Sequence, residues 1–196
     1  MEQREMWRKW WEARGRENRL VWRPNMSIYN AGLPYIFTRR HADNMRFMAD
    51  HGMVGMVNNS MPTHWSNQGP QLYLITKLIW DPRGDRDAIL SDYYARAFGP
   101  AAPYIEQYYD LFEELYQKLA EQYKNQGFST YRDPVKLFRE IRLDDQPSTG
   151  RLGREGVTPH RVYETKAEEL LHAAAAAVEN SEEKYRQRVE FVWRGF

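Results

Sequence analysis

The segment Gln71–Trp80 constrains the fold of this chain more than any other part of its sequence. Apart from three polar residues, every side chain of QLYLITKLIW is apolar or aromatic, and these side chains fall on all sides of a helix. A helix that is apolar all round is buried. Proline suits the first position of a helix and the position just after its end, so Gly69-Pro70 predicts the start and Asp81-Pro82 the end. The partner of this helix therefore decides the architecture.

Two short apolar runs precede the helix, at Leu20–Trp22 and Met53–Val57. An amphipathic helix is predicted between them over about 38–51, with Gly52 at its C-cap. This order predicts a β–α–β unit with parallel strands. Neither run alternates apolar with polar residues, which favours burial of both faces. Because two parallel strands do not form a stable sheet in water, they require neighbours that this sequence does not supply.

The rest of the chain is predicted to be mainly helical. Helices are expected at residues 2–14, 86–98 after the N-cap Asp85, 102–124, 134–141, 162–179, and 182–195 after Ser181. The glycine-, serine- and proline-containing stretch 142–159 predicts a long exposed loop. The fold class is therefore mainly α with a little β. The patterns divide the chain into residues 1–82, which hold the β/α units, and residues 83–196, a helical domain.

Charge and composition exclude several classes of function. The 28 Lys and Arg nearly balance the 27 Asp and Glu, which argues against a nucleic-acid partner. The absence of cysteine excludes disulfides and cysteine zinc sites. The charged first residues do not have the pattern of a signal peptide, and no apolar run is long enough to predict a membrane partner. No cofactor is predicted, because phosphate-binding loops and dinucleotide fingerprints are absent from the sequence.

Five segments taken together resemble a known family. They are LPYIFTRR (Leu33–Arg40), GMVGMV (Gly52–Val57), YLITKLIWDPRGD (Tyr73–Asp85), YYARAFGPAAPYIEQYYDLFE (Tyr93–Glu113) and KYRQRVEFVWRGF (Lys184–Phe196). In this order they resemble a bacterial domain family of unknown function. That family lies at and beyond the C-terminal end of glycoside-hydrolase-like barrels related to α-glucuronidases and β-hexosaminidases. The motif within Lys77–Asp85 is also similar to the transition from barrel to helical domain in α-glucuronidases.

The resemblance implies a more specific fold: the last β/α units of an incomplete (β/α)8 barrel, followed by a C-terminal helical domain. Leu20–Trp22 and Met53–Val57 would be late strands, and Gln71–Trp80 the last barrel helix. The earlier strands, on which such families place their acid and base, would precede Met1. No catalytic residue is therefore expected in this chain. The resemblance further implies a secreted or periplasmic location for the parent protein, whose export signal would lie upstream.

In such barrels, the loops after the strands build the functional site. The predicted substrate-binding residues are therefore Trp22, Arg23, Asn25, Asn58, Asn59, His64 and Trp65. Arginine can pair bidentately with the carboxylate of a uronate, and an indole can cover a pyranose ring. A structural alternative stays open, in which both tryptophans belong to the core and Asn58-Asn59 forms a turn. No metal is expected, because the histidines do not have ligand spacing.

Three interpretations of function follow. In the first, the chain is the C-terminal part of a glycoside-hydrolase-like carbohydrate-active protein; it buttresses the barrel, contacts a uronate- or hexosamine-containing glycan, and is inactive alone. In the second, it is a self-contained helical binding or assembly module whose strands pair between copies. In the third, Asp81 and Asp85 are the acid and base of an active hydrolase. However, Asp85 suits a helix N-cap and Asp81 a helix-ending turn.

Overall fold

The computed structural model describes residues 3–15, 19–24, 34, 36–57, 65–123 and 159–196. The helices are α1 (Gln3–Ala13), α2 (Thr38–Asp50), α3 (Trp65–Trp80), α4 (Arg86–Phe98), α5 (Ala102–Tyr123), α6 (Pro159–Ala177) and α7 (Glu183–Trp193). The strands are β1 (Leu20–Trp22) and β2 (Met53–Met56), and a 3-10 turn, Gly99–Ala101, joins α4 to α5. The chain is thus mainly helical with a little β, as predicted. No helix in these ranges is both long and apolar enough to cross a membrane.

The strands β1 and β2 form a two-stranded parallel sheet, and α2 is the connection between them. The predicted β–α–β unit is therefore confirmed. Within the described ranges the sheet has no third strand, and Val21 and Val54 are 55% and 57% exposed. No third strand in the described ranges covers these valines, so the expected burial of both faces requires further neighbours and stays a prediction. Membership of a barrel stays a prediction.

Side chains from α3 and α5 cap the N-terminus of α2. The N-cap residue Phe37 contributes no side-chain cap. Instead, its N–H donates to the side-chain oxygen of Gln71 at 2.7 Å. The carboxylate of Glu113 accepts hydrogen bonds from the Arg39 N–H, at 2.8 Å, and from the Thr38 hydroxyl. Buried polar groups need such partners, so these bonds fix the N-terminus of α2 against α3 and α5.

The helix α1 packs on the other end of α2. The Trp7 indole donates to the carbonyl of His51, the C-cap residue of α2, at 3.0 Å. The Arg4 Nε donates to the Asn44 side-chain oxygen at 2.8 Å. Gly52 has a φ of +81°, the left-handed conformation expected of the residue after a helix.

The helix α3 begins at Trp65 and contains Pro70 in its interior, so the predicted start at Gly69-Pro70 is wrong. Proline has no N–H, which leaves the Ser66 carbonyl, four residues earlier, without its helical donor. The Tyr109 hydroxyl, from α5, donates a hydrogen bond to that carbonyl. A tertiary contact thus replaces the bond that proline removes, and it allows the helix to extend past Pro70.

The helix α3 is buried all round from Asn67 to Leu72 and exposed at its C-terminal end. Its fully buried apolar side chains are Leu72, Leu74, Ile75 and Leu78, and the side chains of Gln68 and Gln71 are equally buried. Trp80, by contrast, is 90% exposed. The helix ends at Trp80 as predicted, but burial all round is wrong for its last turn.

The C-terminal helices continue the same core. Asp85 caps α4 as predicted, accepting from the Asp87 and Ala88 N–H groups at 2.9 and 3.1 Å. The predicted N-cap role of Ser181 is wrong, because its hydroxyl donates to the Val178 carbonyl and Glu182 is the N-cap of α7. One cluster of buried side chains runs from β1 and α2 through α4 and α5 to α6 and α7. The domain boundary at residue 82 stays a prediction. The predicted helix 134–141 and most of the loop 142–159 lie outside the described residues.

Candidate functional site

The carboxyl ends of the two strands lie side by side. Trp22 pairs with Met56, and the Val57 N–H donates to the Trp22 carbonyl at 2.8 Å. Arg23 and Val57, the first residues after the two strands, therefore lie at the same edge of the sheet, as the sequence predicts. Of the predicted binding residues, only Trp22, Arg23 and Trp65 belong to the described part of the chain. The others, Asn25, Asn58, Asn59 and His64, lie outside it.

The three described candidates have different surroundings. Trp22 is only 6% exposed, and its ring centroid lies 6.3 Å from that of His41. Burial favours a core role for this indole over contact with a ligand. Arg23 is exposed, and Trp65 is 46% exposed at the first position of α3. These two side chains are accessible to a ligand, and their binding role stays a prediction.

His41 is a polar group at this edge that the sequence did not single out for binding. Burial, and secondarily the charge of Arg40, lower the pKa of His41 to about 4. The imidazole is therefore neutral near pH 7. Its Nδ1 has no hydrogen-bond partner among the described residues. The ring contact with Trp22 places His41 at the strand ends. This contact results from the way α2 connects the two strands, so no sequence motif around His41 could have predicted it.

The buried carboxylate of Glu113 has a structural role. Its side chain is 1% exposed, and its two oxygens accept from the first turn of α2. The guanidinium of Arg86 lies 3.9 Å away and also donates to the Thr38 hydroxyl at 3.1 Å. Because both oxygens of Glu113 are engaged by a helix N-terminus, this acid is not free to act on a substrate.

Asp81 and Asp85 are likewise engaged by backbone groups. Asp81 accepts from the Arg83 N–H at 3.1 Å, and Asp85 accepts from the first turn of α4. Both residues are exposed and lie in one helix-to-helix turn. This geometry favours turn and cap roles over the paired-acid hypothesis. Within the described ranges, no group of three His, Asp or Glu residues is arranged to hold a metal ion.

A cleft of about 390 Å³ lies away from the sheet, between α3, α4, α5 and α7; we call it the α3–α7 cleft. Its lining is mostly aromatic and apolar, with two arginines. The lining residues are Trp65, Gly69, Tyr73, Tyr93, Arg96, Ala97, Phe98, Tyr109, Arg188, Phe191 and Val192. Trp65 is the only predicted binding residue among them. The remainder come from helices far apart in the sequence, so no local motif could have revealed the cleft.

Hydrogen bonds hold the polar lining of the α3–α7 cleft in place. Asp92 accepts from the Tyr73 hydroxyl at 3.1 Å and from Arg96 Nε at 2.5 Å. The Arg188 Nη1 donates to the carbonyls of Arg96 and Ala97, at 3.0 and 3.1 Å. These carbonyls end α4, so Arg188 offsets the negative end of its helix dipole.

The floor of the cleft depends on a close approach of Tyr93 to α3. A Cβ atom at Gly69 would lie 2.4 Å from the Tyr93 hydroxyl, so glycine is required there for this packing. Burial raises the pKa of Tyr93 well above its ordinary value, and the nearby charge of Arg188 opposes that change only in part. The hydroxyl is therefore protonated and able to donate.

Comparison with known families gives one match. The model of a family described as "Domain of unknown function (DUF4838)" matches residues 2–110 of the 196 residues. The matched part includes both strands, α1 to α4 and the beginning of α5. No curated protein and no solved structure matches the chain significantly.

Proposed function

The chain belongs to the DUF4838 family, and from this premise we propose that it is the C-terminal part of a glycoside-hydrolase-like, carbohydrate-active protein. Strands β1 and β2 continue a barrel whose other strands lie outside the chain, and the C-terminal helices buttress that barrel. The strand-end residues contribute substrate contacts without a complete catalytic pair. A bacterial origin and a secreted or periplasmic location of the whole protein are part of the same proposal.

The incomplete sheet is the observation that carries this proposal. Val21, Val54 and Val57 are each more than half exposed, although parallel strands are normally covered on both faces. Within the described ranges, β1 and β2 pair only with each other. Unpaired sheet edges with exposed valines favour pairing with further strands. Additional barrel strands would satisfy both the backbone groups and the apolar side chains.

The chemistry at the strand ends supports a sugar ligand. Arg23 is exposed directly after β1, and a guanidinium can bind a uronate carboxylate through two hydrogen bonds. The neutral imidazole of His41 lies at the same edge, beside Trp22. The exposed indole of Trp65 offers an apolar face to a pyranose ring.

The proposal is tested by comparing this chain with the longer product of the same reading frame. Amide hydrogen exchange of Leu20–Trp22 and Met53–Met56 is expected to slow in the longer protein, because new strands bind their free backbone groups. Hydrolysis of aryl glycosides or aldouronic acids is expected only from the longer protein. In that protein, Arg23→Gln should raise KM for acidic substrates more than for neutral ones. Arg19→Gln, in the exposed position before β1, is the matched control.

Turnover of an aryl glycoside by the 196-residue chain, abolished by one carboxylate substitution, would contradict this proposal. Unchanged strand exchange in the longer protein would contradict the barrel assignment alone. The two parts of the proposal can therefore fail separately.

A second candidate function, a helical assembly module without enzymatic activity, is favoured by exposed aromatic residues elsewhere. Trp80 and Trp10 are both more than half exposed on α3 and α1. Light scattering distinguishes the two candidates. A defined oligomer of the 196-residue chain with cooperative unfolding and protected strands would favour assembly, because the strands would then pair between copies. A monomer with rapidly exchanging strand amides favours the barrel proposal.

A further inference from the structure

We infer that the α3–α7 cleft is a binding site for a small carboxylate carried on a six-membered ring. The cleft lies among the helices and includes none of the strand-end residues except Trp65. Its volume of about 390 Å³ falls in the range of about 300–1,000 Å³ that is typical of small-molecule sites. Binding there requires neither a completed barrel nor catalysis, so it is independent of the function proposed above.

Arg188 supplies the cleft with an unneutralised positive charge. Within the described ranges, Arg188 forms no ion pair with a carboxylate, and its hydrogen bonds run from Nη1 to two backbone carbonyls. A guanidinium carries further N–H donors on Nη2 and Nε. The two carbonyl bonds fix the plane of the guanidinium and leave those donors for an anion, the geometry in which arginine binds carboxylates.

Tyr93 lines the same cleft as Arg188 and carries a hydroxyl donor. Its hydroxyl is close enough to α3 to require Gly69, and the charge of Arg188 acts on it. The neighbouring acid, Asp92, is already bound by Arg96 and by the Tyr73 hydroxyl. The available polar groups of the cleft are thus donors, which favours an acceptor-rich anion over a cation.

The walls of the cleft favour a ring. Trp65 and Phe191 are about half exposed, and each lines the cleft with an aromatic side chain. Tyr73 and Tyr93 pack against each other with ring centroids 5.1 Å apart. Aromatic faces bind the apolar face of a pyranose or the plane of an aromatic ring. Either ring leaves an attached carboxylate free to reach Arg188, so sugar acids and aromatic acids share the required chemistry.

Calorimetric titration of the 196-residue chain with four compounds tests this inference. Glucuronate and benzoate carry both a ring and a carboxylate, glucose lacks the carboxylate, and acetate lacks the ring. Saturable binding of glucuronate or benzoate is expected, at least tenfold tighter than that of glucose and acetate. Tighter binding of glucuronate identifies a sugar-acid site, and tighter binding of benzoate identifies an aromatic-acid site.

Variants on α7 test whether the binding occurs in this cleft. Arg188→Gln is expected to weaken binding of the preferred acid by about tenfold or more, because a charged hydrogen-bond donor is lost. Arg188→Lys should restore part of the affinity. Phe191→Ala should weaken binding several-fold without disturbing the core, because Phe191 is half exposed. Arg186→Gln is the matched control, since Arg186 lies on the same helix and pairs with Glu183 instead of lining the cleft.

Circular dichroism confirms that each variant is folded. If Arg188→Gln does not fold, the titrations of Arg188→Lys and Phe191→Ala decide the question. The inference is overturned if neither acid binds saturably, if glucose or acetate binds as tightly as the acids, or if the folded cleft variants bind as tightly as the control.

Discussion

Removing the carboxylate of Glu113 tests whether a tertiary contact, rather than the local sequence, caps α2. In Glu113→Gln the side chain keeps its shape, but one oxygen becomes an NH2 group that cannot accept a hydrogen bond. Hydrogen bonds to charged groups contribute about 1.5–3 kcal/mol, against about 0.5–1.5 kcal/mol for neutral ones. The free energy of unfolding should therefore fall by about 1–3 kcal/mol.

Glu113→Ala should cost more, about 3–5 kcal/mol, because it leaves the buried Thr38 hydroxyl and the partly buried Arg39 N–H without their acceptor and opens space in the core. The Arg86 ion pair adds little to this value, since its atoms are 3.9 Å apart and Arg86 is partly exposed. For a chain of this length, each kcal/mol lowers Tm by about 2–4 °C.

Urea unfolding with a constant m-value measures these losses. The control is Glu114→Gln, the exposed neighbour on α5, for which a change below about 0.5 kcal/mol is expected. Hydrogen exchange adds a specific readout: in Glu113→Ala the Arg39 amide should lose protection before the rest of α2. Equal stabilities of Glu113→Gln and Glu114→Gln, with the Arg39 amide still protected, would refute the capping role.

Two further perturbations are expected to change stability. Tyr109→Phe removes the donor to the Ser66 carbonyl and should lower the free energy of unfolding by about 1–3 kcal/mol. In a Pro70→Ala background, the new backbone N–H at position 70 supplies that donor, so the loss caused by Tyr109→Phe should be smaller. Equal losses in the two backgrounds of this double-mutant cycle would contradict the explanation. Because the pKa of His41 is lowered in the folded chain, the unfolded chain binds more protons than the folded chain between pH about 6.5 and 4. The free energy of unfolding should therefore decrease as the pH falls through that window, by at most about 1.4 kcal/mol per pH unit. Unfolding measured from pH 7 to 4 should show a weaker pH dependence in His41→Gln than in the natural chain, and identical profiles would exclude His41 as the cause.

Elements with local signals could be predicted from the sequence. The strands β1 and β2 and the bounds of α4 follow from apolar runs and from the Asp85 cap, whose bonds form within a few residues. The role of Gly52 after the end of α2 was also predictable, because it depends only on the left-handed backbone conformation of that one residue. The parallel pairing of β1 and β2 also follows from the sequence, because a helix between two strands dictates a crossover.

The start of α3 shows how a reliable local rule can fail. Pro70 predicts a helix beginning, since proline lacks the N–H that a helix interior needs. The structure continues the helix to Trp65, because Tyr109 from another helix donates to the carbonyl that proline leaves free. Nothing near Pro70 in the sequence carries this information. The cap on α2 escapes prediction for the same reason, since its acceptors, Gln71 and Glu113, come from two later helices.

The sequence by itself determined the helical character, the β–α–β unit and the resemblance that places the chain in its family, because these depend on short-range periodicity and ordered motifs. The tertiary structure decided which polar groups are buried and which remain available. It engaged Glu113 in hydrogen bonds from the first turn of α2, placed Trp22 in the core, and brought Arg188 and Tyr93 to one cleft. Whether such a side chain can reach a ligand depends on contacts between residues that are distant in the chain, and these contacts form only when the helices pack together.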